Sequence, residues 1–219
     1  MEPLQQLGLA MGTAWTSGIN LYATVAALGI AQASGLVQLP PGLEVLANPA
    51  VIVIAVFMYF VEFFADKVPY VDSGWDAVHT FIRVPAGALL AARTLGPTNP
   101  ALEVVAALAG GSVALAAHGT KATARLAINA SPEPFTNWAA SITEDVVALV
   151  GVWAAFQHPY VMLVLVLGFL ALAIYLVPKI LRTLRAMFRK ITGKGKTATG
   201  YGLEATGKDS AAPPVARSL

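Results

Sequence analysis

The stretch 160-YVMLVLVLGFLALAIYLV-177 decides the class of the fold. Its eighteen residues include no charged side chain, and a run of that length and composition is typical of a helix that crosses a lipid bilayer. The composition of the whole chain agrees. Of its 219 residues, 57% are hydrophobic and only 12% are charged, whereas soluble domains carry about 25% charged residues. We therefore expect an integral membrane protein.

Further apolar runs upstream of this stretch predict an all-α, polytopic membrane bundle of about six transmembrane helices. We expect the spans over residues 4–34, 49–67, 73–92, 101–128, 137–156 and 160–177. The first span is longer than the roughly 20 residues that a simple crossing needs, and it holds 16-TSGIN-20 at its centre. We therefore expect a broken or re-entrant helix there, and a second break at 117–121.

The charge distribution predicts the topology. We divide the chain into a membrane domain, residues 1–192, and a disordered cytoplasmic tail, residues 193–219. Basic residues crowd 179-KILRTLRAMFRKI-191, and the positive-inside rule places that end in the cytoplasm. Six spans then put the N-terminus in the cytoplasm too. The expected location is the bacterial inner membrane, with lipids as partners. Gly8 and Gly12 permit close packing in a homo-oligomer, and equally well within one subunit.

The two halves of the membrane domain, about 4–95 and 100–192, carry similar polar patterns. The segment 17-SGINLYAT-24 in the first half corresponds to 118-HGTKATAR-125 in the second. In each half, the next span carries carboxylates. Because three spans per half is an odd number, the halves would lie in the membrane in opposite orientations. Inverted repeats with interrupted helices are typical of secondary transporters.

A basic helix face lies within the fourth span, where charge is expensive and commonly functional. His118, Lys121 and Arg125 share this face through their i, i+3, i+7 spacing. Cations beside a small residue and a hydroxyl suit a phosphate or carboxylate group. The alternative is that Lys121 and Arg125 only neutralise buried carboxylates. The expected substrate-binding residues are Asn20, His118, Gly119, Thr120, Lys121 and Arg125.

Carboxylates within the other spans predict a second role. Glu62 is flanked by aromatic residues in 57-FMYFVEFF-64, so it is a candidate proton carrier. The alternative for its neighbour Asp66 is a solvated turn with Lys67. The expected residues for proton or cation coupling are Glu62, Asp66, Glu144 and Asp145. The i, i+3, i+7 set in the third span predicts either the wall of a solvated pathway or a polar ladder within one helix. Its members are Asp76, His79 and Arg83.

Several function classes are disfavoured by composition. The chain has no cysteine, so it has no thiolate nucleophile or thiolate metal site, and its 3 histidines lack the close spacing of zinc ligands. A net charge of +2, with the basic residues at one end, is not the pattern of a nucleic-acid-binding surface. We expect no enzyme activity, no cofactor and no resident metal, although the carboxylates would suit Ca²⁺, Mn²⁺ or Mg²⁺ as a transported ion.

Two resemblances add to this interpretation. The segments 17-SGINLYAT-24 and 131-SPEPFTNW-138, with the Glu144–Asp145 pair, resemble a family of small bacterial inner-membrane proteins known only as a domain of unknown function. That resemblance covers roughly residues 5–190 and implies membrane location. A fainter similarity is to the Gdt-type cation transporters, whose inverted halves each carry an E-x-G-D-K-[ST] motif. Here 62-EFFADKVP-69 has the glutamate, aspartate and lysine, with one extra residue and no glycine or hydroxyl.

Taken together, the patterns predict a secondary transporter that couples to protons and carries a small solute or lipid headgroup with an anionic group. A divalent-cation transporter that uses the carboxylates is the first alternative. A membrane scaffold that transports nothing, with its charges in a structural network, is the second. Loss of folding on each charge substitution would indicate the scaffold, whereas loss of activity alone would indicate a transporter.

Overall fold

The computed structural model describes residues 2–96, 100–129 and 134–193, and all regular structure within these residues is helical. The all-α prediction is therefore confirmed. The expected disordered tail lies outside the described residues, apart from its first residue. The helices are α1 (Pro3–Ile19), α2 (Leu21–Ala33), a 3₁₀ helix (Pro41–Ala47), α3 (Pro49–Ala65), α4 (Pro69–Thr94), α5 (Pro100–Asn129), α6 (Pro134–Gln157) and α7 (Pro159–Gly193).

Proline marks where the described helices begin. It occupies the first position of every described α-helix except α2. At that position its fixed backbone angle suits a helix and its missing N–H is not needed. The exception, α2, begins after Asn20, whose side chain accepts a hydrogen bond from the backbone of Ala23 (2.9 Å). Asn20 is therefore an N-cap within an otherwise continuous helical segment, and it confirms the break expected at 16–20.

The chain reverses direction at Asn20, so that α1 and α2 form a helical hairpin. Leu9 of α1 lies in the same apolar cluster as Ala91 near the end of α4. Leu28 of α2 clusters with the adjacent Leu90. The start of α1 and the segment that follows α2 also line one cavity. Both arms of the hairpin therefore extend toward the end of α4, and the tip at Asn20 lies deep in the bundle.

The compact unit Met1–Ile180 is built around α1, which contacts α2, α4, α5 and α6. Small residues let α4 and α5 approach closely. A side chain at Gly110 of α5 would overlap Ala91 and lie 2.8 Å from the carbonyl oxygen of Gly87. The same is true where α1 meets α5, because a Cβ at Gly18 would lie 2.7 Å from that of Ala117. Small-residue contacts of this kind are typical of helices packed in membranes.

Three described helical segments are long and apolar enough to cross a membrane: Pro100–Asn129, Phe135–Gln157 and Pro159–Ala186. The 3₁₀ helix and α3, bent by 69° between them, would make a fourth. Six spans in inverted halves stay a prediction. The break expected at 117–121 is wrong, because α5 continues without interruption from Pro100 to Asn129. The alanine-rich helix accommodates His118 and Gly119 at this point, because groups on neighbouring helices form hydrogen bonds and ion pairs with its polar face.

Candidate functional site

A set of charged side chains is buried at one end of the bundle, beyond the tip of the hairpin. We call this set the polar core. Among the described residues, the two largest fully buried side chains are both arginines, Arg83 and Arg125. Buried charge is costly unless it is paired, so the arrangement of these groups is informative. The polar core consists of Glu62, Asp66, Asp76, Arg83, Lys121, Arg125 and Glu144.

Helix direction brings these residues together from distant parts of the sequence. Charges lie at and just after the end of α3, in the first half of α4 and just past its middle, in the last third of α5 and in the first half of α6. Because α3 and α5 run toward the polar core and α4 and α6 run away from it, these segments meet at one end. Spacings of four residues, as between Lys121 and Arg125, place neighbouring charges on one helix face. The basic face predicted from the sequence therefore exists, and it points inward.

Lys121 lies at the centre of the polar core. Its Nζ is 3.3 Å from Glu62 Oε1, 3.5 Å from Asp66 Oδ2 and 3.4 Å from Glu144 Oε2. A fourth carboxylate, Asp76, is 4.0 Å away. Only 3% of the lysine side chain is exposed. One ammonium group is therefore enclosed by carboxylates from other elements of the bundle.

Arg83 joins the polar core to the hairpin. Its guanidinium donates to Glu62 Oε1 and to the backbone carbonyl of Ile19 (3.2 Å), which is the last residue of α1. It also contacts His118 Nδ1 at 3.0 Å. Because an arginine can only donate, that nitrogen must be an unprotonated acceptor, and the Nε2–H then faces the Asp76 carbonyl oxygen at 3.0 Å. His118 is therefore neutral in this arrangement and adds no charge to the basic face.

Arg125 forms the best-satisfied ion pair of the set. Its Nε and Nη2 donate to the two oxygens of Glu144 at 3.0 and 2.7 Å, in the bidentate geometry that arginine favours. The Nη2 group also lies 3.3 Å from Asp66 Oδ2. Its Nη1 donates to Asn137 Oδ1 at 2.5 Å. Arg125 thus links α5 to α6 and to the turn between α3 and α4.

The hairpin tip holds a separate polar group next to the polar core. Asn20 Nδ2 donates to Asp145 Oδ1 at 2.9 Å, while the Asn20 side-chain oxygen caps α2. Tyr59 of α3 donates its hydroxyl to the other oxygen of Asp145 at 3.2 Å. Asp145 therefore connects the hairpin to α3 and α6, and its only described hydrogen-bond partners are neutral.

Carboxylates outnumber cations in this region. The polar core has four carboxylates and three cations. Asp72 and Asp145 are buried beside it and have no ion pair with a cation among the described residues. Several carboxylate oxygens also lack any hydrogen-bond partner within the described part of the chain. They are Glu62 Oε2, Asp66 Oδ1, Asp72 Oδ1 and both oxygens of Asp76.

Asp66 lies in the turn between α3 and α4, outside both helices. Burial raises the pKa of its carboxyl to about 7; Lys121 and Arg125 oppose the rise, and Glu62 and Glu144 add to it. A carboxyl with that pKa exchanges a proton near neutral pH. Within the described residues, no three or more carboxylate or imidazole groups are arranged to hold a metal ion.

The remaining predicted site residues lie apart from the ion pairs. His79 donates from Nδ1 to the Trp75 carbonyl oxygen (2.9 Å), and its Nε2 meets the Tyr22 hydroxyl of α2 at 3.0 Å. It therefore contacts the hairpin, and the role of a pathway wall stays a prediction. The Thr120 hydroxyl donates to Ala116 within its own helix at 2.8 Å. No heavy atom lies within 4 Å of the position that a Cβ on Gly119 would take.

Sequence reasoning missed three groups that the structure adds. Tyr59 binds Asp145, and its spacing of three residues from Glu62 could have identified it as lying on the same face of α3. Asn137 fits the sequence pattern of a helix cap, whereas in the structure it accepts from Arg125. Asp72 falls in a segment whose composition suggests a solvated turn, but it is fully buried and accepts a hydrogen bond from Asn129 at 2.9 Å.

The chain belongs to a protein family described as a domain of unknown function, DUF4126, whose family model matches residues 7–179. The match includes every residue of the polar core and all of the hairpin except the first four residues of α1. The resemblance to a family of unknown function is thereby confirmed. No curated protein and no solved structure matches the chain significantly. The likeness to Gdt-type transporters rests on residues 62–69 alone.

Proposed function

We propose that this membrane protein is a proton-coupled secondary transporter, in which the polar core takes up and releases the coupling proton. The observation that carries the proposal is the excess of buried carboxylates over cations. An uncompensated carboxylate buried in a protein is strongly unfavourable, so the excess negative charge must be balanced by a proton or by a bound cation. A buried carboxylate that is balanced by a proton or a bound cation can exchange that positive charge for another.

The substrate favoured by this geometry is cationic rather than anionic. The sequence predicted that Lys121 and Arg125 would hold a phosphate or carboxylate group of a substrate. Each of them already contacts at least two carboxylates of the protein, and His118 is neutral. A substrate anion would have to displace these carboxylates and would increase the negative charge. A cation that replaces a proton leaves the charge unchanged.

The hairpin supports a transport function rather than a purely structural one. Helical segments that enter a membrane and turn back commonly line substrate sites in transporters. Here the tip, at Asn20, lies beside Asp145 and directly follows the residue whose backbone carbonyl binds Arg83. Movement of the hairpin would therefore be transmitted directly to the polar core. A scaffold needs no such contact.

The same hairpin changes the topology that the sequence suggested. If α1 and α2 enter and leave the membrane on one side, and if α4 crosses in addition to the four segments named above, α3 to α7 make five crossings in place of the expected six. The N-terminus and Ile180, the last residue of the compact unit, then lie on opposite sides. The positive-inside rule predicts that the basic residues of 179–191 are cytoplasmic, so the N-terminus would face the other side. A reporter domain fused to the N-terminus tests this arrangement.

Proton movement in reconstituted liposomes tests the proposed function. Inward gradients of alkali cations, divalent cations, phosphate or small carboxylates would be imposed in turn, with a pH-sensitive dye inside the liposomes. We expect one class of gradient to change the internal pH at least several-fold faster than in protein-free liposomes. Glu62→Gln should abolish that change, because it removes a carboxylate that contacts both Arg83 and Lys121.

The matched control is Glu44→Gln, which removes an exposed carboxylate in the 3₁₀ helix. It should leave the proton movement unaltered. Size-exclusion chromatography would first show that both variants elute at the same volume as wild type and are therefore folded. The proposal is wrong if no gradient moves protons in wild-type liposomes. If Glu62→Gln also fails to fold while wild type is inactive, the scaffold alternative is favoured instead.

A further inference from the structure

The ammonium group of Lys121 occupies a place where a free cation would be well held. Four carboxylates approach it within 4.0 Å, from the end of α3, the turn after it, α4 and α6. The group is a single positive charge at the end of a flexible chain of four carbons, unlike the rigid guanidinium groups of its neighbours. Lys121 is therefore the one cation of the polar core that can move away from the carboxylates without turning a planar group that donates several hydrogen bonds.

A second observation points to an incompletely satisfied site at the same place. Asp76 is 3% exposed, yet neither of its carboxylate oxygens has a hydrogen-bond partner among the described residues. Its Oδ1 lies 3.6 Å from Arg83 and 4.0 Å from Lys121, so it faces the centre of the polar core. Glu62 Oε2, whose partner oxygen contacts Lys121, is also unpartnered within the described part of the chain. Buried carboxylate oxygens without donors attract a cation.

We infer that the carboxylates around Lys121 form a binding site for a small monovalent cation. The lysine ammonium occupies this site when no free cation is bound. This inference rests on the proposed function, since it names the substrate class of the same site. An alkali cation or a small ammonium ion enters, the Lys121 ammonium moves aside but stays within the polar core, and a proton leaves one of the carboxyl groups. One positive charge enters as one departs, so the buried charge stays constant. No bond other than the carboxyl O–H is broken.

The route to the site is indicated by exposure. Glu144 is the most exposed member of the polar core, with 17% of its side chain accessible, whereas Glu62 is fully enclosed. A cation would therefore reach the centre past Glu144. A monovalent cation is favoured over a divalent one, because exchange of one proton for one monovalent cation leaves the buried charge unchanged.

Chemical rescue of Lys121→Ala tests the inference without a transport assay. The variant leaves a cavity lined by carboxylates, and methylammonium or ethylammonium can fill it. We expect the variant to melt well below wild type and to regain about 5 °C or more at saturating amine, since ligands that bind only the folded state stabilise it. Tetramethylammonium, which has no N–H and is larger, should restore little.

Lys67→Ala is the matched control variant. Lys67 is only partly buried; its Nζ donates to the Phe63 carbonyl oxygen at 3.0 Å and lies 3.1 Å above the Phe63 ring centroid, and no carboxylate pairs with it among the described ion pairs. Removing it should therefore produce no response to amines. A Lys121→Ala protein that folds but responds to no amine, or equally to tetramethylammonium, would overturn the inference.

Proton release from wild type decides the matter if Lys121→Ala does not fold under any condition. Sodium or potassium chloride would be added to weakly buffered wild-type protein near pH 7, with N-methylglucamine chloride as the reference salt. We expect the small cations to release up to about one proton per chain, because cation and proton compete for one negative charge. Equal release with all three salts would overturn the inference. If phosphate gradients, not cation gradients, move protons in liposomes, proton-coupled transport stands, but the cationic substrate and this inference both fail.

Discussion

The two ends of the bundle are held together by different kinds of contact, apolar packing at one end and ion pairs at the other. At the end where both arms of the hairpin terminate, which we call the apolar end, Leu9, Leu28, Leu90 and Met162 form closely packed clusters. At the other end, the polar core places seven charged side chains where an ordinary bundle would have leucines. The apolar end follows the packing rules for helices in lipid. The polar core departs from them and keeps several carboxylate oxygens unsatisfied within the described residues.

This contrast indicates that stability and function are located at different ends. Replacing a buried ionic network with apolar residues of similar size commonly leaves stability unchanged or improves it. A network with unpaired oxygens and excess charge is therefore poorly explained as a stabilising device. Substitutions that act on one end and spare the other test this division.

Arg125→Ala should be the most damaging single substitution. It leaves Glu144 and Asp66 with Lys121 as their remaining described cation, and removing one partner of a buried pair costs about 3–5 kcal/mol. Thermal unfolding in detergent measures the loss. Arg93→Ala, which removes an exposed arginine of α4, is the control and should change the melting temperature by about a degree or two at most. Equal effects of the two substitutions would refute the idea that buried pairing distinguishes the polar core.

Gly110→Val should be the next most damaging, and it acts on helix packing alone. The added side chain would overlap Ala91 and the backbone of Gly87, and overpacking of this kind costs about 1–3 kcal/mol. Gly168→Val is the matched control, because nothing lies within 4 Å of the position of its Cβ. Proton movement per folded Gly110→Val molecule should remain as in wild type. A folded variant without activity would show that the two ends are not separable.

The stability of wild type should fall by roughly 2 kcal/mol between about pH 5 and pH 7 through Asp66. The pKa of this carboxyl is raised to about 7 in the folded state, above its unfolded value near 4. The folded protein therefore holds a proton that the unfolded chain releases, and this stabilisation is lost as pH rises toward 7. Unfolding followed at a series of pH values measures the slope. Asp66→Asn should flatten it, and an unchanged slope would contradict the assignment.

Asn20→Ala should have the smallest effect on stability, about 1 kcal/mol, through loss of the α2 cap. Asn48→Ala removes the equivalent cap of α3, where Asn48 accepts from Ala50 at 2.9 Å at an exposed position. Asn20→Ala should lose somewhat more stability than Asn48→Ala, because it also removes a donor from the buried Asp145. Only Asn20→Ala should slow proton movement in liposomes, because it alone frees Asp145. Similar activities of the two variants would remove the hairpin tip from the mechanism.

Much of this contrast could be predicted from the sequence. Long apolar runs and the starting prolines fix the helices, and helical spacing predicts that Lys121 and Arg125 share a face. The break at Asn20 was predictable because a polar residue within an apolar segment is better placed as a cap than in a helix interior. These are local properties, which depend on neighbours in the chain.

The partners of the buried charges could not be predicted. The spacing of Lys121 and Arg125 suits a substrate anion and a protein carboxylate equally well, and only the packing of α3, α4 and α6 against α5 distinguishes them. The reversal at Asn20 was also hidden. An Asn20 cap is compatible with either a kinked helix or a hairpin. The packing of Leu28 near the end of α4 distinguishes the two, and it depends on the tertiary structure. The second break, predicted by analogy between the halves, is absent because ion pairs satisfy the polar face of α5.

Infrared spectroscopy of wild type tests the central claim most directly, since protonated and ionised carboxyl groups absorb at different frequencies. The sample would be prepared in N-methylglucamine buffer at about pH 7, where exposed carboxyl groups are ionised. The excess of buried carboxylates predicts a protonated carboxyl band that weakens on addition of sodium or potassium and is reduced in Asp66→Asn. A spectrum with no protonated carboxyl at that pH, unaffected by any cation, would contradict the claim that the polar core holds an exchangeable positive charge.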